Sequence, residues 1–456
     1  MRKLAALVAI LFAACQTAPG PTAPVEAPPI ATPDGSVAFV DVNVIPMTPA
    51  AGVVAHQTVV VRNGRIESIS SAGAAAIPRG AVRVDGRGKY LIPGLADMHV
   101  HLEYFEDPDM LRLFTSNGVT FVRSMDGRPR ILEWKKRIAS GQLEGPSIVT
   151  AGPLLDGAPP VQPDNTVIRT AEEARAAVAE QQAAGYDFIK VYTNLSTRAY
   201  EAILDEARRL GMAVAGHVPR NSSIVKALEH HTSIEHLTDF DELIEADSSP
   251  VRGRFHWSKL YLAMKADQKK MVAAAKRVAK AGVAIVPTLV QAEHALAPPE
   301  TLASWLKRDE LLLVPNDVRK FWEDRVRAMS QQIGQEDWEV VARGSSNRMA
   351  LVKALQARGA RLLAGTDTPN PFAVPGVSIH RELDLLVRAG LTPKEALAAA
   401  TREAAIFAGQ EGQWGTIEAG KRADLVLLDA NPLESIRATT TISRVMVGGR
   451  FERVNE

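Results

Sequence analysis

The sequence predicts an α/β protein: a (β/α)8 TIM-type barrel with a small β-sandwich domain built from both chain ends. Three observations carry this reading. Strand-like and helix-like stretches alternate through the middle of the chain, while both ends are β-rich. Length permits both, since 456 residues exceed one compact β sandwich and suffice for a large barrel with a satellite domain. A hydrophobic fraction of 46% against 23% charged residues is an ordinary globular balance. The formal net charge of +1 gives no global field favouring nucleic acid or acidic lipid. No dense basic run interleaved with aromatics is present, which argues against nucleic-acid binding.

The first element is a targeting segment. Arg2 and Lys3 are followed by the apolar run Leu4 to Ala14 and then by Cys15. The run is too short for a permanent membrane span and reads as an export signal over 1–15. Small residues before a cysteine resemble a bacterial lipobox, although Phe12 departs from the usual branched residue there. Two readings stay open: a periplasmic lipoprotein held to a bacterial membrane through Cys15, or plain export with cleavage nearby. Residues 16–34 are rich in Pro, Ala and Thr and read as a tether. Cys15 is the only cysteine, so the chain has no internal disulfide and no other thiol for catalysis.

The second element is a composite β domain over 35–92 and 409–456. Ala38-Phe39-Val40-Asp41-Val42, Gln57 to Val61 and Arg65 to Ile69 are β-branched and partly alternating, and Asn63-Gly64 signals a tight hairpin. Ala423 to Leu428 and Ser443 to Val447 have the same character near the other end. The third element, 93–408, is the barrel. Its strand-like runs include Val119 to Val122, Phe188 to Tyr192, Val214 to His217, Ser233 to His236, Ala284 to Pro287 and Leu362 to Asp367. Amphipathic stretches such as 170–185 and 197–210 lie between them. The long, charged, helical segments 239–282 and 292–346 read as insertions or extended loops around the barrel mouth.

Chemistry concentrates at the ends of these strands. In Asp97-Met98-His99-Val100-His101, residues two apart on a strand face the same side, so His99 and His101 project together at metal-ligand spacing. His217, His236 and Asp367 each end another apolar run, where barrel enzymes place their functional groups. Lys190 lies within Asp187-Phe188-Ile189-Lys190-Val191-Tyr192. A lysine among such neighbours is costly unless paired or chemically altered. By itself it reads as a rim lysine or a buried ion pair; beside a His and Asp constellation, a carbamate formed from its neutral amine becomes the better reading.

These motifs, with Tyr90 to Gly94, Ala364-Gly365-Thr366-Asp367-Thr368 and Gly415 to Val426, resemble the amidohydrolase superfamily, in particular its exported imidazolonepropionase-like and dipeptidase-like (prolidase-like) branch. The resemblance covers nearly everything after the tether. It implies two divalent metals: His99, His101 and Asp367 on the more buried ion, His217 and His236 on the more exposed one, and carboxylated Lys190 bridging both. Lys190 favours the binuclear, peptidase-like members over imidazolonepropionases. Zinc suits this ligand set. The implied reaction is cleavage of a C–N amide or peptide bond in a small substrate, a dipeptide (including Xaa-Pro) or an N-acyl amino acid, by a metal-bridging hydroxide, with Asp367 moving the proton. Alternatives at the same site are a cyclic amide, a lactone or a phosphotriester; a different class is a catalytically silent anchored binding protein.

Two further residues are candidates for catalysis. Tyr192 shares the strand face of Lys190 and would touch substrate, or else only pack at the rim. His380, just past Asp367, would contact substrate or support a ligand, or else only begin a helix. His230 and His231 read as surface residues, and His56, His256 and His294 have no motif around them. The expected partner is a small molecule or short peptide, with membrane contact only through the anchor; a homo-oligomer follows by analogy alone.

Overall fold

The computed structural model describes residues 35–252, 259, 262–334 and 337–452. The expected export signal, Cys15 and the tether lie outside the described residues, as does His256.

Both chain ends contribute to one eight-stranded mixed sheet. Its order begins with Arg450–Phe451, Ile442–Val447 and Leu425–Leu428. It continues through Tyr90–Pro93, Ser36–Val44, Val54–Arg62 and Arg65–Ser71, with Val82–Asp85 beside Ser36–Val44. The join is Leu425–Leu428 antiparallel to Tyr90–Pro93. Asn63-Gly64 forms the expected hairpin turn: Arg62 pairs with Arg65 and both turn residues have positive φ, 51° and 76°, which matches the twist of the flanking strands. One face buries Val37, Phe39, Val59, Val61, Leu91, Leu425 and Met446 in a common apolar cluster.

The middle of the chain is α/β with parallel pairing. Leu95–Val100, Val119–Ser124 and Ser147–Thr150 form one parallel sheet. A second parallel sheet runs Thr166–Val167, Leu155–Asp156, Phe188–Val191, Ala213–Gly216, Ser233–Glu235 and Ala284–Val286. A single parallel bridge from Ala151 to Phe188 connects the two. The segment 362–368 is an extended piece with isolated contacts on both sides instead of the regular strand expected. It bridges Ile285 through Leu362 and Val100 through Thr368, both parallel. Asp367 N donates to His99 O at 2.8 Å, and His101 N to Thr368 O at 2.8 Å.

Helices cover these strands where the sequence placed them. Ala171–Ala184 begins at Thr170, whose side chain accepts from Glu173 N, and ends at Gly185 with φ 88°. Thr197–Leu210 begins at Ser196 and ends at Gly211 with φ 69°. Each has an oxygen cap at the start and a left-handed glycine at the end. The segments read as insertions are partly core. Gln268–Ala281 buries Met271, Ala275 and Val278, and Trp338–Ala357 buries Leu351, Val352 and Leu355, all in the main apolar cluster. Their charged faces disguised a buried stripe at helical spacing. Among the described residues no helix is long and apolar enough to cross a membrane.

Candidate metal centre

A cavity of about 200 Å³ opens at the C-terminal ends of the parallel strands. Its lining includes His101, Lys190, Tyr192, His217, His236 and Asp367, together with Glu103, Asp126, Arg325 and Arg348. His99 lies beneath, fully buried. All six expected metal ligands therefore converge. The His99 ring centroid is 5.4 Å from that of His101 and 4.5 Å from that of His236, and His236 is 4.8 Å from His217. Asp367 Oδ1 stands 3.2 Å from His99 Nε2 and 3.1 Å from His101 Nε2. The tightest group is His99, His236 and Asp367, whose ligand atoms lie within 4.8 Å of one another.

The backbone is shaped for this convergence. Asp367 and His236 have φ of 62° and 65°, a region costly for residues other than glycine and one that concentrates at functional sites. Glycines supply the room. A Cβ at Gly365 would meet His99 Cβ at 2.9 Å, and a Cβ at Gly216 would meet Lys190 Cδ at 2.9 Å and Val191 O at 2.3 Å.

The histidines are held from behind. His99 Nδ1 donates to Glu235 Oε2 at 2.8 Å, His101 Nδ1 to Glu103 Oε1 at 2.5 Å, and His236 Nδ1 bonds Thr288 Oγ1 at 2.8 Å. With each Nδ1 so engaged, each Nε2 is left for the cavity, the arrangement that orients imidazole ligands. His99 Nε2 and Asp367 Oδ1 are buried and make no hydrogen bond. Buried polar atoms are rarely left so, and here a cation would satisfy both. The donor set and these orphaned atoms fit a divalent metal.

Electrostatics follow from burial and charge. Burial pulls the Lys190 ammonium down to about 8, against the nearby Glu235 and Asp367 carboxylates. Burial alone would raise Asp367, yet His236, His99 and His101 hold it well below the usual carboxylate range. Glu235 is held low in the same way, by Arg123 and His99. Burial lowers His217, and His236 and Lys190 lower it further.

Sequence reasoning missed the supports. Arg123 donates to Glu235 Oε1 at 2.8 Å, to Ser233 Oγ at 2.9 Å and to Met98 O at 2.8 Å. Asp97, beneath Asp367, accepts from Thr366 N at 2.9 Å and Thr366 Oγ1 at 2.6 Å. A charged residue inside an apolar strand run was the signal that marked Lys190, and Arg123 in Val119 to Ser124 carries the same one.

Tyr192 reaches the cavity, its ring edge-on to His217 at 4.4 Å between centroids. His380 does not line it. It is buried elsewhere, its Nδ1 3.0 Å from Thr439 Oγ1, so the chain's turn into the Ser378–Arg388 helix carries it away from the ligands. His231 is buried as well, bonded to Tyr200 Oη at 2.8 Å, because its side chain turns inward at the helix end where a surface position was expected.

The fold and ligand set define a hydrolase of the metal-dependent α/β class. The amidohydrolase family profile matches residues 90–451, and the chain belongs to that family. It is similar to ochratoxinase of Aspergillus niger, 24% identical over 394 residues, covering 79% of this chain and 75% of that protein. Among solved structures it resembles bottromycin amidohydrolase, with a TM-score of 0.70, 25% identity and coverage of 92% and 87%. It also resembles an assigned prolidase from Bifidobacterium longum, with a TM-score of 0.66, 26% identity and coverage of 91% and 94%.

Proposed function

We propose that this protein hydrolyses a C–N amide or peptide bond in a small substrate, a dipeptide or N-acyl amino acid, at a binuclear zinc centre. The observation that carries the reading is the convergence of six ligands around buried, otherwise unsatisfied His99 Nε2 and Asp367 Oδ1. The names of the similar proteins, an amidohydrolase and an assigned prolidase among them, support the amide class.

In this reading eight parallel segments, Leu95–Val100, Val119–Ser124, Ser147–Thr150, Phe188–Val191, Ala213–Gly216, Ser233–Glu235, Ala284–Val286 and 362–368, close into a ring, the bridges at Ala151–Phe188, Ile285–Leu362 and Val100–Thr368 being its seams. The terminal strands form the satellite β domain. His99, His101 and Asp367 would hold one ion, His217 and His236 the other. Lys190, low enough in pKa to offer a neutral amine, would take up carbon dioxide with loss of a proton and serve both ions as a carbamate ligand. Two such ions, when bound, would supply an ionised water near neutral pH and polarise the scissile carbonyl.

The chain's own residues do the rest. Asp367, kept deprotonated by its histidine neighbours, accepts the proton of the attacking water and passes it to the departing nitrogen. Glu235 and Glu103 fix the His99 and His101 rings so that Nε2 faces the cavity. Tyr192 lies over His217 and places its hydroxyl beside the substrate carbonyl or leaving group. The mature protein acts in the periplasm, anchored through Cys15.

The test is a panel of dipeptides, N-acyl amino acids, a lactone and a phosphotriester, with enzyme loaded with zinc and bicarbonate. Amino-acid release from the amides is expected. Turnover of the lactone or phosphotriester alone would overturn the amide assignment, and an inactive protein holding no metal would favour the anchored binding protein.

A further inference from the structure

At the start of the Leu289–His294 helix two residues share a task that one usually performs. Thr288 is the N-cap residue of that helix, yet its side chain makes no cap hydrogen bond. A threonine there ordinarily accepts from the N–H of the second or third residue of its own helix. The Thr288 hydroxyl lies instead 2.8 Å from His236 Nδ1. Glu382, from the Ser378–Arg388 helix, takes the N–H groups in its place: Leu289 N donates to Oε1 at 3.0 Å and Val290 N to Oε2 at 2.8 Å. The helix that carries His380 away from the ligands thus brings Glu382 against the residues that follow Thr288.

Thr288 and Glu382 are both fully buried, and both stand in unfavourable states. Thr288 holds φ 44° and ψ 53°, left-handed backbone that a β-branched residue rarely adopts. Such a conformation persists only where its surroundings over-determine it. Burial pushes the Glu382 carboxyl up to about 8, and its two N–H donors act against that. A buried carboxyl group is unfavourable unless its oxygens are bonded, and these oxygens hold the chain immediately after Thr288. Without them, the unpaired N–H groups would compete for the Thr288 hydroxyl and draw it back to its own helix. His236 Nδ1 would then lose the contact that keeps Nε2 toward the cavity.

We infer that Glu382 is a positioning residue for His236: by capping the Leu289–His294 helix it frees the Thr288 hydroxyl to orient that ring, and so it sets the affinity for the ion assigned to His217 and His236. It does this although it does not line the cavity. Glu235 and Glu103 serve His99 and His101 directly, whereas Glu382 serves His236 through an intermediary. The inference rests on the two-ion reading above and adds a residue to it.

The experiment follows stepwise zinc binding to the full chain by competition with a chelator, with bicarbonate present. Thr288→Val is expected to weaken one of two zinc steps by about tenfold to a hundredfold, the range for a contact behind a metal ligand, and to leave the other unchanged. Thr288→Ser, which keeps the hydroxyl, should bind as wild type does. Glu382→Gln should weaken the same step by about tenfold. Combined with Thr288→Val it should weaken that step no further, since both act through one contact. Glu293→Ala controls for loosened packing: it removes another tie between the same two helices, Arg381 Nε to Glu293 Oε2 at 2.9 Å, and should change neither step. Thermal melting checks that each variant folds, and Glu382→Asp replaces Glu382→Gln, with the same expectation, if that one does not. A Glu382 variant with wild-type affinity at both steps, an equal loss at both, additive losses in the double variant, or the same loss in Glu293→Ala would overturn the inference and leave the two-ion reading standing. A wild type that takes up one ion or none overturns that reading and this inference with it.

Discussion

The floor and the outer wall of the cavity are built by different means. On the floor, His99, His101, Lys190, His217, His236 and Asp367 lie on or at the ends of parallel strands or an extended segment; His99, His101 and His236 are each fixed by a hydrogen bond from behind, and Gly365 and Gly216 leave room for His99 and Lys190. On the wall, Arg325 and Arg348 are borne by helices outside the parallel sheets. The difference teaches which part of the cavity can be placed from the sequence pattern alone. A strand fixes a side chain's direction by alternation, while a helix fixes it only once its packing angle is known.

This division can be broken first on the floor. Asp367→Asn should fold and lower kcat by about a hundredfold to ten-thousandfold, the usual contribution of a positioned proton carrier. Near-normal turnover would remove Asp367 from that role. Glu235→Gln is the next largest. It takes the buried charge away from His99 and Arg123 together, and zinc affinity should fall by about tenfold to a hundredfold, read by competition with a chelator. Unchanged affinity would mean that the Glu235 to His99 bond only packs. A Cβ at Gly216 cannot coexist with Lys190 as placed, so Gly216→Ala should cost about 1–3 kcal/mol of stability and disturb metal loading, which a urea melt with a metal assay would follow.

The smallest effect lies away from both regions. Burial lowers the His231 ring to about 3, below its ordinary value near 6.5. A depressed histidine is neutral in the folded state and takes up its proton first in the unfolded chain. Its contribution is thus complete above about pH 6.5 and is lost as pH falls toward 3. Between pH 7 and 5 it should account for at most about 2 kcal/mol of destabilisation. His231→Gln should flatten the fall in urea midpoint over that range; an identical fall would place the acid sensitivity elsewhere.

Most of the floor was legible in the sequence. His-x-His on a strand, three runs ending in His or Asp and one lysine in an apolar strand each have a direct physical cost or spacing that marks them. The parallel α/β character was legible too, through capped helices between apolar runs. What escaped depended on pairs far apart in sequence. Glu235 and Arg123 acquire meaning only when strands of the two separate parallel sheets bring them to 2.8 Å. His380 was misjudged because closeness in sequence to Asp367 says nothing of the direction taken by the helix it enters. The arginines escaped for a similar reason, since charged helices over 316–330 and 338–357 read as solvated faces until the cavity behind them is known.

The central claim is a binuclear centre dependent on Lys190. The direct measurement is metal stoichiometry by elemental analysis of protein purified with zinc and bicarbonate, wild type beside Lys190→Met, with folding checked by circular dichroism. The account predicts two ions per folded wild-type chain and a loss of at least one in the variant. One ion or none in wild type, or a variant with an unchanged metal content, would contradict it.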